Sequence, residues 1–358
     1  MEKHIDSLME TTWRLLRTDG SVIAPVMRLL PWKAIGGHVS DSMRGWDMRN
    51  NRLVFLDAND VASIAFTLVE YDAHGPLRIV GSSPANPSAT FVLERSKMPS
   101  GIDLGQQSAQ TRPVFLKEPP ANAPRGRNLV VLRANEESLH TQWPRNIPRE
   151  DRNWDLCISW YGKSAPPDLE CEYLTHQAID RKFGAIHALF LDDSPLCAYD
   201  NFWLPDDDVM TSWADINRMF RIFQQHDLLL AQPSLEANGN VTHRITLHRP
   251  GFALHYSHFV EVMCPLFSAA AFKVCLPSLN AAISGWGLDV IWPSLLGGVT
   301  AKIAVIDDVI VQHTRPVGQL YDNTQARNEM NALCTRYGCH TRFNFSDCGG
   351  LLKTAAMA

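Results

Sequence analysis

The chain has 358 residues, 45% of them apolar and 20% charged, enough to bury a sizeable core in more than one domain. A formal charge of −5 with scattered basic residues excludes a general attraction to nucleic acid or anionic lipid. Glu2, Asp6, Glu10 and Asp19 interrupt the first thirty residues, and no window approaches 18 uncharged apolar residues, so a cytoplasmic protein without a membrane span is expected.

In chain order, Ile5, Leu8, Trp13, Leu15 and Leu16 hold helical spacing and predict a helix over 5–30, broken at Pro25 and Pro31. Residues 45–95 change character. Short β-prone runs (53–56, 62–69, 77–80, 90–93) alternate with turn sequences such as His74-Gly75-Pro76, which predicts a small antiparallel sandwich. Residues 96–127 have the Pro, Gly, Gln and Ser content of a linker. A cut near 120 therefore separates an N-terminal helix and β-rich accessory domain (1–120) from the remainder (121–358).

Asn128-Leu129-Val130-Val131-Leu132-Arg133 reads as a buried parallel strand, 154–161 as a second, 184–190 as a third, and 199–204 as a further one. Thr211, Trp213, Ile216, Met219, Phe220 and Phe223 predict a helix over 211–226. Strands alternating with helix-length segments give an α/β domain with ligands at the carboxyl ends of its strands. Eight cysteines without a repeated short spacing read as reduced, packed thiols.

The sharpest signal is Phe202-Trp203-Leu204-Pro205-Asp206-Asp207-Asp208, an apolar strand ending on three adjacent acids. Their mutual repulsion is relieved by a cation, and oxygen ligands suit Mg²⁺ or Mn²⁺ rather than zinc. One acid could cap the following helix; three exceed that need. Asp206 and Asp208, alternate residues of an extended segment, face the same way. Ser284-Gly285-Trp286-Gly287-Leu288-Asp289 adds glycines that admit a ligand, an indole face for a sugar ring, and an acid placed as a general base. Residues 303–314 predict strand structure leading to His313, a borderline metal ligand. Arg133, Asn135, Asp155 and Lys163 follow or lie in predicted strands and could meet nucleotide groups. Arg181 and Lys182 could neutralise a diphosphate, and Glu261 in an apolar run could hold an acceptor hydroxyl.

With these motifs in order, residues 125–322 resemble the glycosyltransferase A-type architecture, and more closely a plant and bacterial family labelled lysine-ketoglutarate-reductase trans-splicing-related proteins. The resemblance implies a Rossmann-like α/β domain with a mixed sheet. It implies Mn²⁺ or Mg²⁺ held by Asp206, Asp208 and His313, and Asp289 as the catalytic base. Arg133, Asn135, Asp155, Lys163, Lys182 and Asp207 would bind the nucleotide sugar, a UDP-sugar by default. Trp286, Gly287 and Glu261 would bind a glycan or saccharide acceptor. A homo-oligomer is compatible with these motifs. Two other readings stand beside it. One is a two-metal phosphoesterase or nuclease drawing on Asp192-Asp193, Asp206 to Asp208 and Asp307-Asp308. The other is a non-catalytic carbohydrate-binding protein using the β-rich region and Trp46.

Overall fold

The computed structural model describes residues 5–99, 113–119, 126–167, 169–177, 181–191, 193–316, 322–339, 345–346 and 348–353. The chain divides into two compact units. The first comprises Met1–Ser100, Val290–Val299 and Asn331–Arg342; the second comprises Gly101–Asp289, Thr300–Met330 and Phe343–Ala358.

The first unit begins with a short helix, α1 (Ile5–Glu10), and continues through eight strands: β1 (Thr12–Arg17), β2 (Val22–Leu29), β3 (Ile35–Gly36), β4 (Gly45–Arg49), β5 (Arg52–Leu56), β6 (Ala62–Asp72), β7 (Gly75–Ser83) and β8 (Asn86–Ser96). The helix expected over 5–30 stops at Glu10. Thr18-Asp19-Gly20-Ser21 makes a turn with Gly20 at φ +85°, and Val22, Ile23 and Val26 favour the strand that follows. The helix-like spacing of Trp13, Leu15 and Leu16 comes from register shifts in β1, which put adjacent residues on the buried side.

These strands form one antiparallel sheet in the order β3-β2-β1-β8-β7-β6-β5-β4. An antiparallel bridge from Ala34 to Gly45, and the Trp46 N–H donating to Lys33 O at 2.9 Å, tie its two ends together. A single sheet closed on itself replaces the two-sheet sandwich expected from the turn spacing, and closure removes the exposed edges. Trp13, Trp46, Phe55 and Phe66 fill its interior. The Trp13 and Trp46 indoles donate to Leu8 O and Leu30 O, at 3.1 and 3.0 Å. Trp46 is 1% exposed, which removes the aromatic surface that a carbohydrate-binding reading had assigned to it.

In the second unit β9 (Phe115–Lys117), inside the segment of linker composition, pairs with β12 (Tyr173–His176). β10 (Asn128–Ala134), β11 (Trp154–Trp160) and β13 (Asn201–Trp203) complete a parallel set with β12, in the order β12-β11-β10-β13. β10 is buried along its whole length, as its unbroken apolar run requires. The stretch 184–190, expected as a strand, belongs to helix α2 (Lys182–Leu189); β12 takes the third place instead. Its Gly184-Ala185 and Ala188 suit close helix packing, which a short apolar run does not distinguish from a strand.

A two-residue strand, β14 (Val209–Met210), follows the acids, and α3 (Trp213–Gln225) begins at Ser212, whose hydroxyl accepts the Asp215 N–H at 3.2 Å. β15 (Leu230–Leu235), β16 (Phe252–Tyr256), β17 (Leu266–Ser268), β18 (Ile303–His313) and β19 (Gly350–Leu352) extend the sheet as β13-β17-β15-β18-β16-β19, with β14 on β18. β17 runs antiparallel to β13 and β15, so the sheet is mixed. α4 (Ala269–Leu279), α5 (Leu288–Leu295) and α6 (Asn323–Tyr337) complete the elements. Among the described residues no helix is long and apolar enough to cross a membrane.

Candidate active site

Chain order along the parallel strands reverses between β10 and β13, which are hydrogen-bonded neighbours although three strands apart in sequence. Such a reversal opens a crevice beyond the carboxyl ends of the strands. Asp206, Asp207 and Asp208 stand just past the end of β13, and Asn135 and Ser138 just past the end of β10. The two loops are tied. The Leu139 N–H donates to Asp207 O at 2.8 Å, the Ser138 hydroxyl donates to Asp207 Oδ2 at 2.9 Å, and the Tyr161 hydroxyl reaches the same oxygen at 3.0 Å.

The acid turn is also fastened to the end of β18. Val209 pairs with His313, and Thr314 donates to Asp208 O through both its N–H (3.1 Å) and its hydroxyl (2.9 Å). Arg315 Nη1 donates to Asp207 Oδ1 at 2.9 Å, while its Nη2 holds Glu137 O at 2.7 Å. Acids separated by about a hundred residues from this histidine are thereby set against it.

Asp208 and His313 form the centre. His313 Nε2 lies 3.2 Å from Asp208 Oδ2, and His313 Nδ1 lies 2.9 Å from Asn240 O. Both ring nitrogens face acceptors, so in the absence of any other cation a second proton must sit on the ring. Burial alone would lower the His313 pKa, but the hydrogen bond and charge of Asp208 raise it to about 9. Burial works against ionised Asp208 as well, and His313 with Arg315 still holds its pKa below the usual value. Asp208 is 7% exposed, and its Oδ1 is buried with no hydrogen-bond partner. An unpaired buried carboxylate oxygen beside an imidazole whose Nδ1 is anchored on a carbonyl fits a divalent cation. Nε2 would supply its lone pair and Asp208 its free oxygen. Among the described residues no three His, Cys, Asp or Glu side chains converge as a metal cage. Two protein ligands nevertheless suit Mg²⁺ or Mn²⁺ sites that are completed by substrate phosphates and water.

Asp206 is held differently. Lys182 Nζ donates to Asp206 Oδ1 at 2.6 Å and to the carbonyls of Val262 and Met263, both at 3.0 Å. All three ammonium protons have acceptors, so Lys182 is a strut for the acid loop rather than the free diphosphate-binding cation expected. Asp206 keeps 38% of its side-chain surface yet lies deep enough for desolvation to raise its pKa; Lys182 opposes the rise, and the like charges of Asp208 and Asp207 add to it.

Glu261 is buried, its N–H donates to Gln232 Oε1 at 2.6 Å, and its Oε2 has no partner. Burial pushes its pKa up to about 7; His313 opposes this, while Asp289 and Asp206 reinforce it. Those charges place Asp206, Glu261, Asp289 and His313 in one electrostatic neighbourhood. Asp289 is 6% exposed in the first turn of α5. Before it, Gly285 and Gly287 adopt φ +85° and +95°, and a Cβ on Gly285 would stand 2.8 Å from the Phe183 ring. These two positions require glycine, and they leave Trp286 half-buried between them.

Arg133, Asn135 and Asp155 are engaged by protein groups. Arg133 is buried, donates to Ser159 Oγ at 3.0 Å and to Gln177 O at 3.3 Å, and stacks 4.9 Å from the Tyr161 ring. Asn135 Oδ1 accepts the Glu137 N–H at 2.9 Å as a turn residue. Asp155 sits at the opposite, amino end of β11, where it accepts from Tyr199 OH at 2.5 Å and from Gly126 N at 3.2 Å; a strand's second residue cannot reach its carboxyl edge. Lys163 is exposed in the loop after β11. Tyr161, Ser138, Asn240 and Arg315 were missed by sequence reasoning. Only Arg315 carried a signal, two residues beyond His313 on the same side of an extended chain.

No protein-family model matches the chain, and no curated protein matches it. Among solved structures, S. aureus TarS 1–349 in complex with UDP-GlcNAc aligns at TM-score 0.41 and 10% identity, over 58% of this chain and 66% of that one. Glucosyl-3-phosphoglycerate synthase from Mycobacterium tuberculosis, in complex with Mn²⁺, UDP-glucose and phosphoglyceric acid, aligns at 0.34 and 13%, over 63% and 89%. A psychrophilic marine protease inhibitor aligns at 0.20 and 14%, over 25% and 97%. Likeness of this size leaves the functional reading to the geometry of the site itself.

Proposed function

We propose that the second unit transfers a sugar from a nucleoside diphosphate sugar to an acceptor hydroxyl, assisted by Mn²⁺ or Mg²⁺. The observation that carries this reading is the unpaired, buried Oδ1 of Asp208 beside His313, placed where strand order reverses. When bound, the cation would balance charge developing on the departing diphosphate. Asp208 and His313 would hold it, and Asn240 O keeps the Nδ1 proton in place so that Nε2 faces the metal. Lys182 keeps Asp206 oriented at the same edge, and Ser138, Tyr161 and Arg315 keep Asp207 from turning toward it. Asp289 takes the proton of the attacking hydroxyl if the anomeric centre inverts, and Trp286 offers its ring to the acceptor.

A two-metal hydrolase would need dispersed carboxylates to meet. Asp307 is engaged by His255 and Arg249, and Asp308 pairs with Lys353 at 2.9 Å, so neither joins the acid turn. Asp192 lies outside the described residues. The deciding experiment incubates the protein with a panel of nucleotide sugars, with Mn²⁺ or with a chelator. Metal-dependent release of nucleoside diphosphate is expected; no release and no binding of any donor would refute the proposal.

A further inference from the structure

The geometry points to Glu261 as the residue that grips the transferred sugar, through a hydroxyl of the donor ring; the inference rests on the glycosyl-transfer reading and deepens it. Glu261 is 8% exposed, and its Oε2 is buried with no hydrogen-bond partner. A buried acceptor left unmade is costly, and native structures rarely keep one without a ligand or a task.

The backbone around it is locked from both sides. Gln232, fully buried, accepts the Glu261 N–H, and its own amide donates to Pro233 O at 3.3 Å. Lys182 binds the carbonyls of Val262 and Met263, and the Cys264 N–H closes a turn onto Glu261 O at 3.4 Å. A polar side chain is thus aimed by four separate backbone bonds and then given nothing to bind. The charges that reach it are those of His313 and Asp206, which belong to the acid turn and the end of β18, and that of Asp289, in the first turn of α5. Phosphate oxygens belong with the former pair, and the attacking hydroxyl with the latter. The group that spans the interval between diphosphate and attacking oxygen is the transferred sugar. Its hydroxyls are the donors that an unused carboxylate oxygen lacks. Glu261 is therefore a substrate-contacting residue that selects the donor's sugar, a role distinct from the acceptor contact expected from sequence.

The experiment compares binding of UDP and GDP with binding of UDP-glucose, UDP-N-acetylglucosamine and GDP-mannose, by calorimetry in MnCl₂, for wild type, Glu261→Gln, Glu261→Leu and Asp208→Asn. Both Glu261 variants are expected to bind the free diphosphate within about twofold of wild type. Affinity for the sugar nucleotide should fall about tenfold in Glu261→Leu and less in Glu261→Gln, whose amide oxygen still accepts. Thermal midpoints measured alongside separate binding from folding, and Glu261→Gln carries the test if the leucine variant does not fold. Equal losses for diphosphate and sugar nucleotide, or no loss for either, would overturn the assignment. So would a fall in Mn²⁺ affinity matching that of Asp208→Asn, which would make Glu261 a metal ligand. Wild-type protein that binds neither diphosphates nor sugar nucleotides would sink the glycosyl-transfer reading itself, whereas diphosphate binding with unaltered sugar discrimination sinks only the role of Glu261.

Discussion

Two buried histidine–aspartate pairs meet at β18, and they are built to opposite ends. At Asp307, in mid-strand, Oδ2 lies 2.7 Å from His255 Nδ1 and Oδ1 accepts the Arg249 N–H at 2.7 Å, while His255 Nε2 reaches Ile245 O at 2.8 Å. Both carboxylate oxygens and both ring nitrogens are occupied, with residue exposures of 0% on each side. At the strand's last residue, His313 meets Asp208 at a longer 3.2 Å and one carboxylate oxygen is left over. A saturated pair holds the sheet together; an unsaturated one of the same chemistry keeps a position for something else.

The largest effect should come from breaking the saturated pair. Asp307→Asn leaves His255 and the Arg249 N–H facing an amide in a fully buried place, and removing one partner of such a pair costs about 3–5 kcal/mol of stability. Urea unfolding would read this as a lower midpoint. Donor binding by the remaining folded protein should stay within about twofold, because Asp307 touches none of the acid turn.

Asp208→Asn should do the reverse. It removes the charge the cation needs and gives up the pairing that raises His313, partly offset by relieved repulsion among three adjacent acids, so turnover should fall about 10²–10³-fold while the midpoint drops much less than in Asp307→Asn. A midpoint that collapses with activity would make Asp208 another structural acid.

The third contrast is with pH. His313 is raised from 6.5 to about 9 by Asp208. A raised histidine stabilises the fold fully below about 6.5, and that contribution is lost as pH climbs through 9. A metal ion must displace the same proton, so Mn²⁺ affinity should rise about tenfold per pH unit between 6.5 and 9 while metal-free stability declines. His313→Ala should flatten both curves, and parallel rather than opposed trends would show that proton and metal do not share Nε2.

Much of this site was legible before its geometry. Asp206 to Asp208 could be placed at a strand's carboxyl end because an apolar run stopping at Pro205 has only one plausible end, and β18 could be followed to His313 on the same grounds. Helix α3 was legible because its apolar positions hold a 3.6-residue period. Closure, bulges and the choice of partners were harder to read. Closure of the first eight strands is a matter of which edges meet, and turn spacing is the same in a sandwich and a closed sheet. The β1 bulges imitate helical periodicity, so 12–29 read as helix. The distinction between Asp307-Asp308 and Asp206 to Asp208 lies in which oxygen is left unpaired, a property of partners such as Arg249 and Thr314 that spacing does not carry.

Lys182 offers the finest test of the comparison, since Asp206 is neither saturated by a histidine nor left open: an ammonium stands where a metal would otherwise compete. Lys182→Met removes the bonds to Asp206 Oδ1, Val262 O and Met263 O together. Asp206, whose pKa burial already raises, loses the charge that opposes the rise and should protonate at still higher pH. The acid limb of the activity profile should therefore move upward, with turnover down about tenfold near neutrality, the scale expected for a partner one step removed from the metal. Asp206→Asn in the same background should add little further loss, because the lysine acts through that acid. If the two losses multiply instead, Lys182 touches substrate directly, and the diphosphate contact expected from sequence returns.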